Sequence, residues 1–368
     1  MWLVATPFHT PDSDAPLVVI TGGTGLIGSG VTRRLVADHR VVTLDRSCDP
    51  ESPAAAEVIC TDLASARSVE RAVDRIKAVY GSEIASIIHL AAYYDFSGAD
   101  SPLYEDVTIK GTQRLLAATE PLHVEQVVFS STMLVHAPTE PGDPIDEDDP
   151  IAAAWPYPES KVITEDIVED QTKGETKSVI VRIAGVYDEY GHSPPITNQI
   201  KRIDGGWLTS HFYPADLERG QAFVHRDDVV EALVRIVDRR RELPDDLDLL
   251  IAEPETLGYG ELQDLIGRSL HGHDWTTMEI PDELATVGAW LREKNPFGED
   301  PFIRSWMIEH ADDHYEIDIG RARRLLDWEP EHRVAEVIPE MVEHLRSDRA
   351  GWYAANELEP PDSSALRS

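Results

Sequence analysis

The chain has 368 residues, 42% of them hydrophobic, which is enough to bury a substantial core in one large or two unequal domains. Its 68 acidic residues outweigh 33 basic ones, and the resulting charge of −35 repels nucleic acid and anionic membrane and excludes both as expected partners. No apolar run reaches the ~18 residues of a membrane span and the opening Met1–Ala5 carries no basic residue, so a soluble, cytoplasmic protein is expected.

Residues 1–15 read as an N-terminal extension. From residue 17 onward, Val/Ile-rich runs at 17–21, 40–45, 56–60, 85–90, 125–130 and 177–183 alternate with helical patterns near 26–37, 65–80, 103–119 and 157–171. That rhythm predicts an α/β fold with a doubly wound parallel sheet. Ligands in such sheets bind beyond the carboxyl ends of the strands.

Between the first strand and first helix stands Gly22-Gly23-Thr24-Gly25-Leu26-Ile27-Gly28. Gly22 suits a tight turn with positive φ, Gly25 lets a diphosphate approach the backbone, and Gly28 lets helix and strand pack closely. The helix start offers free N–H groups to an anion. The second strand ends on Asp45, twenty residues past Gly25, where a carboxylate accepts both hydroxyls of an adenosine ribose. These features predict a Rossmann dinucleotide site. Asp45 favours NAD because it repels a 2′-phosphate, while the adjacent Arg46 attracts that phosphate and leaves NADP open.

The two cysteines, Cys48 and Cys60, lack metal or redox spacing and are expected to be inert thiols. Further along come Asp62-Leu63, His89-Leu90-Ala91-Ala92, Tyr93-Tyr94-Asp95-Phe96, Ser130-Ser131-Thr132 and Tyr157-Pro158-Glu159-Ser160-Lys161. Tyr157 and Lys161, four apart on a helix, share a face, which is what a phenol needs if an ammonium is to lower its pKa from ~10. Thr132 ends an apolar strand, where its hydroxyl can bond a substrate oxygen or the Tyr157 oxygen. Ser131 is a second candidate, and a simple turn role is open for Ser130 and Ser131. His89 reads as a packed, hydrogen-bonded histidine. Tyr94 and Phe96 form either a substrate wall or loop packing, and the same two readings hold for Trp290, Phe297, Phe302 and Trp306. His271-Gly272-His273 has no completing ligands, and no metal is expected.

In order and spacing, these motifs resemble the extended short-chain dehydrogenase/reductases, specifically the NAD-dependent epimerase/dehydratase family, over about residues 16 to 350. The resemblance implies a nucleotide domain at 16–184 to which 223–251 return, a smaller discontinuous substrate domain at 185–222 and 252–350, and a tail at 351–368 with a disordered end. It implies Tyr157 as acid/base, Lys161 as its electrostatic partner and ligand of the nicotinamide ribose, and Thr132 as substrate-oxygen ligand. Asp62 matches the position that bonds the adenine amino group; Leu63 and Leu90-Ala91-Ala92 border the cofactor. A homodimer through the helix of Tyr157 and the helix near 103–119 is implied as well.

Departures narrow the chemistry. Met133-Leu134 replace the Asp-Glu pair of family dehydratases, Val135-His136-Ala137 replaces Val-Tyr-Gly, and Thr108 replaces an asparagine. Gln221 replaces an arginine that holds a nucleotide diphosphate, although Arg219 is two residues away. A nucleotide-sugar epimerase is the first expectation, a dehydrogenase or reductase of a free sugar or lipid-like alcohol the second, and a non-catalytic NAD sensor the third. Only seven of the basic residues are lysine, which resembles proteins of salt-accumulating halophiles; an acidic mesophilic protein is the other reading.

Overall fold

The computed structural model describes residues 14–47, 56–95, 98–206, 208–214, 216–280 and 310–361. Its centre is a seven-stranded parallel sheet of β1 (Leu17–Thr21), β2 (Arg40–Asp45), β3 (Ala56–Cys60), β4 (Ser86–His89), β5 (Gln126–Thr132), β6 (Lys177–Ile183) and β7 (Asp246–Ile251), in the order β7-β6-β5-β4-β1-β2-β3. The chain runs from β1 outward to β3, then returns to pair β4 beside β1. That reversal leaves a crevice beyond Thr21 and His89, which are register partners at the strand ends.

Both faces are covered, so the strands are apolar on both sides. On one face α1 (Leu26–Leu35) and α6 (Arg226–Asp238) pack through Val31, Leu35, Val229 and Leu233 against Val18, Ile20, Val128 and Val181. On the other, α2 (Ala66–Tyr80), α3 (Lys110–Thr119) and α4 (Pro156–Thr172) bury Val69, Ile76, Leu115 and Val168 against Val19, Ile87 and Phe129. A third apolar cluster joins α5 (Pro194–Asp204), α7 (Tyr259–His271), α9 (Val334–Ser347) and α10 (Arg349–Ala355) through Ile196, Ile200, Ile266, Ile338, Trp352 and Tyr353. The short α8 (Gly320–Leu326) returns to the first cluster through Ala322 and Leu326.

The expected strands and helices lie where the periodicity puts them; α5 is an addition, and so are several shorter features. A π-helical turn at Tyr104–Ile109 precedes α3, the strand β7 closes one edge, and Gly185–Tyr187 pairs in parallel with Phe223–His225. The last pair is only three residues long and carries no alternation that a sequence could reveal. Cys60 corrects an expectation: it is disulfide-bonded rather than a free thiol. It closes β3 opposite Asp45, and the other cysteine, Cys48, lies outside the described residues. No helix among the described residues is long and apolar enough to cross a membrane.

Candidate active site

The turn between β1 and α1 is built for a backbone-lined cradle. Gly22 has φ of +71°, and a Cβ there would lie 3.1 Å from the Ala91 nitrogen on the neighbouring strand end. A Cβ on Gly28 would stand 2.1 Å from the Gly22 carbonyl oxygen, so the helix approaches the turn as no other residue would allow. At the start of α1, Gly25 supplies no side-chain cap and no acidic residue occupies the first turn. The positive helix end, flanked by Thr24, Leu26 and Ile27, therefore lacks an internal anion and suits a diphosphate.

Asp45 is fixed beside this turn. Its Oδ2 accepts from the Thr24 backbone N–H at 3.0 Å and the Thr24 hydroxyl at 2.7 Å, while Oδ1 accepts from Ser47 N–H at 3.1 Å. Arg46 points into solvent. Asp62 is also exposed and accepts from Ala64 N–H, whereas Leu63 is buried and its carbonyl accepts from Arg114. These residues could hold an adenosine; the cradle and the carboxylate together fit a dinucleotide without a 2′-phosphate.

His89 lies at the next strand end, wholly buried, and its hydrogen-bond order can be read. Thr112 donates its hydroxyl to the Thr108 carbonyl at 2.6 Å, so it accepts from His89 Nε2–H at 2.8 Å. Nδ1 then accepts from the Thr21 hydroxyl at 2.6 Å, and Thr21 accepts from Ala91 N–H. Burial, with Lys161 adding, pushes the imidazole down to about 3, so it stays neutral. This is the packed histidine expected, and it fixes the partly buried backbone of Leu90, Ala91 and Ala92.

Proline at its first turn starts α4, and one helical turn separates Tyr157 from Lys161. The buried Lys161 ammonium donates to the Ser130 carbonyl at 2.8 Å and lies 4.9 Å from the Phe129 ring centre and 5.8 Å from that of Tyr157. Burial lowers Lys161 to about 8, with Glu165 opposing. Burial raises Tyr157, the nearby Tyr94 adds to the rise, and a hydrogen bond from Thr132 acts the other way. Thr132 also accepts Leu134 N–H as the cap of a short helical turn.

Not every candidate joins this group. Alternation along β5 turns Ser131 to the face opposite Thr132, where its hydroxyl is buried without a hydrogen-bond partner. Tyr94 does join: its ring meets that of Tyr157 edge-on at 5.1 Å. Phe96, Trp290, Phe297, Phe302 and Trp306 lie outside the described residues. Sequence reasoning missed Trp155, whose ring centre is 5.5 Å from that of Tyr157. The available signal was its place two residues before the tyrosine.

A family model described as the NAD dependent epimerase/dehydratase family matches residues 18–252. The chain belongs to this family. It is accordingly an NAD-dependent enzyme of the epimerase or dehydrogenase type. Among relatives, 3 beta-hydroxysteroid dehydrogenase type 7 of Mus musculus is 28% identical over 56% of this chain and 59% of its own length. UDP-glucose 4-epimerase of Mycolicibacterium smegmatis is 28% identical over 89% of this chain and 98% of its own. The chain thus spans about three fifths of the first relative and nearly all of the second. Among solved structures, UDP-glucose 4-epimerase of Thermotoga maritima with UDP-glucose superposes with a TM-score of 0.66 at 22% identity, covering 90% of this chain and 99% of that one. That of Thermus thermophilus with NAD gives 0.67 at 21%, with the same coverage.

Within this epimerase/dehydratase chain the departures acquire physical roles. His136 Nε2 accepts from Arg182, itself buried and paired with Glu165 at 2.8 Å and Asp248 at 3.1 Å. Burial and Arg182 hold His136 neutral at about 4. Thr108 accepts Tyr93 N–H at 2.9 Å and so anchors the loop that carries Tyr94. Arg219 is engaged by Glu140 at 2.7 Å and by the Asp312 carbonyl at 3.0 Å. Met133 is buried in the apolar core and moves no proton.

A second polar cluster lies elsewhere. His225, Asp228 and His332 each offer a ligand atom within 4.8 Å of the others. The Asp228 carboxylate already accepts Glu331 N–H, His332 N–H and His332 Nδ1–H, and the two imidazoles stack at 3.9 Å with planes 22° apart. An ion in the plane of one ring would lie well out of the plane of the other, so this is a clasp of hydrogen bonds.

Proposed function

We propose that the enzyme is a nucleotide-sugar epimerase that exchanges a secondary alcohol and its ketone, with Tyr157, Lys161 and Thr132 as the reacting group. The observation that carries this reading is their convergence beyond β4 and β5, beside the glycine cradle. Similarity along 98% of a UDP-glucose 4-epimerase supports the nucleotide-sugar class.

Bound NAD supplies the hydride acceptor; all proton handling falls to the chain. Thr132 orients the substrate oxygen and Tyr157 takes its proton as the carbon–oxygen bond gains double-bond character. Lys161 stabilises the phenolate electrostatically and, with one of its three donors on Ser130, keeps two for a ribose. In an epimerase Tyr157 returns the same proton after the ketone has turned over. We assign the diphosphate to Gly22, Thr24, Gly25, Leu26, Ile27 and Gly28, the adenosine ribose to Asp45, and the adenine side to Asp62 and Leu63. Residues 185–222 and 252–350 form the substrate part.

One observation favours a second reading, a dehydrogenase of a free sugar or lipid-like alcohol. Gln221 stands where the diphosphate arginine is expected, and Arg219 is already ion-paired to Glu140 and Asp312. Absorbance at 340 nm with UDP-sugars, free sugars and secondary alcohols separates the two. Epimerised nucleotide sugar without net NADH supports the first reading, and steady NADH accumulation with a free alcohol overturns it in favour of the second.

A homodimer through α3 and α4 is part of the proposal. Ile163 on α4 and Leu103, just before the π-helical turn that leads into α3, are both more than 40% exposed and would supply apolar contacts. We also read the acidic surface as salt-adapted.

A further inference from the structure

We infer that Tyr94 and Trp155 form an aromatic seat that selects alcohols whose reacting carbon belongs to a saturated ring. This rests on Tyr157 as the acid/base, since the seat is defined by its distance from that phenol.

Tyr94 meets Tyr157 edge-on, with ring centres 5.1 Å apart and planes at 86°. Trp155 lies 5.5 Å from the same ring at 39°. Tyr94 is 53% exposed, yet its loop is held from both sides. Tyr93 gives its N–H to Thr108 at 2.9 Å and sets its ring against Tyr104 at 4.9 Å. The Tyr104 hydroxyl then bonds the Asp95 carbonyl at 3.0 Å. With Tyr93 turned inward and Asp95 pinned, the Tyr94 ring is held where it meets Tyr157. Trp155 is fixed by the following Pro156, which favours its extended backbone of φ −152° and ψ 166°. Its carbonyl accepts Glu159 N–H at 3.1 Å.

A hydroxyl hydrogen-bonded to Tyr157 brings its carbon within about 4 Å of the phenol oxygen. The neighbouring ring atoms of the substrate then meet these two aromatic rings, whose faces and edges favour C–H groups over charged ones. A pyranose or alicyclic ring presents such groups in one fixed arrangement, whereas an acyclic alcohol must lose rotational freedom to present them. Both rings are preorganised, so little ordering is lost on binding.

The test is calorimetric binding to the NADH-loaded protein and its Tyr94→Ala, Trp155→Ala and Trp155→Phe variants. The probes are UDP-glucose, cyclohexanol and UDP alone. Each alanine variant is expected to weaken UDP-glucose and cyclohexanol about fivefold to tenfold and to leave UDP within twofold. Trp155→Phe recovers most of the loss. Unchanged affinity for both ring probes, an equal loss for UDP, or failure of both ring probes to bind the wild type overturns the seat. Cyclohexanol binding without UDP-glucose binding would overturn the nucleotide-sugar reading and leave the seat standing. UDP-glucose binding that ignores both substitutions would do the reverse.

Discussion

Lys161 lies one helical turn from Tyr157 with its ammonium 5.8 Å from the phenol ring centre, and it is already hydrogen-bonded to the Ser130 carbonyl. The ammonium is thus placed by the end of β5 as well as by α4. The phenol meanwhile is raised by burial, so without cofactor the pair holds a cation next to a neutral acid; taking the substrate proton requires the phenolate, which Lys161 and the positive charge of oxidised nicotinamide would favour.

Tyr157→Phe should lower kcat by about 10²- to 10⁴-fold while NADH affinity changes little. Lys161 titrates at about 8 in the native protein against 10.5 when unfolded. Activity should therefore fall above about pH 8. Stability should behave oppositely: between 8 and 10.5 the unfolded chain holds the extra proton, so this group's contribution to unfolding free energy rises with pH. Urea melts across that window, compared with Lys161→Met, check the sign; a wild-type slope no steeper than the variant's would refute it.

Gly28→Ala places a Cβ 2.1 Å from one backbone oxygen and 2.8 Å from the Gly23 Cα. Neither neighbour is a flexible side-chain end, so a loss of about 1–3 kcal/mol is expected with cofactor binding abolished. Gly25→Ala, with its nearest contact at 3.3 Å, should keep its melting temperature within a few degrees and still bind NADH more than tenfold weaker. Thermal melts with and without NADH separate these two effects.

Asp45→Asn keeps an oxygen for the Thr24 N–H and hydroxyl but removes the charge. NADH affinity should fall about tenfold and NADPH affinity should rise, narrowing the preference between them. Fluorescence titration with both cofactors measures it. An unchanged ratio would remove Asp45 from the ribose site.

Glu253 is 1% exposed, and burial raises its carboxyl to about 7 although Tyr187 and the Val334 N–H both bond it. Between 4.5 and 7 the native state binds a proton that the unfolded state has released, so stability from this group falls as pH rises through that range. Glu253→Gln should flatten that part of the stability profile. Melting temperatures at half-unit pH steps would show it, and a parallel pair of curves would contradict it.

The legible part of this molecule was local. Gly22, Gly25 and Gly28 announce their turn because their spacing follows from backbone geometry, and Tyr157 with Lys161 follows from helical period. The Thr108 anchor was hidden because its role depends on a loop and a π-helical turn meeting across about fifteen residues. Arg182 with Glu165, Asp248 and His136 was hidden for the same reason, since its three partners come from three separate segments.

The clasp at Asp228 has a consequence for where this protein can be cut. The carboxylate takes N–H groups from Glu331 and His332, and the Asp228 carbonyl accepts from the Trp328 indole, all more than ninety residues downstream. Although similarity to a full-length UDP-glucose 4-epimerase runs over 89% of the chain, the family model ends at residue 252. A shortened polypeptide ending there would leave a buried anion on α6 with no donors and the pocket of Trp328 empty. The segment 328–332 therefore acts as a closing latch on α6.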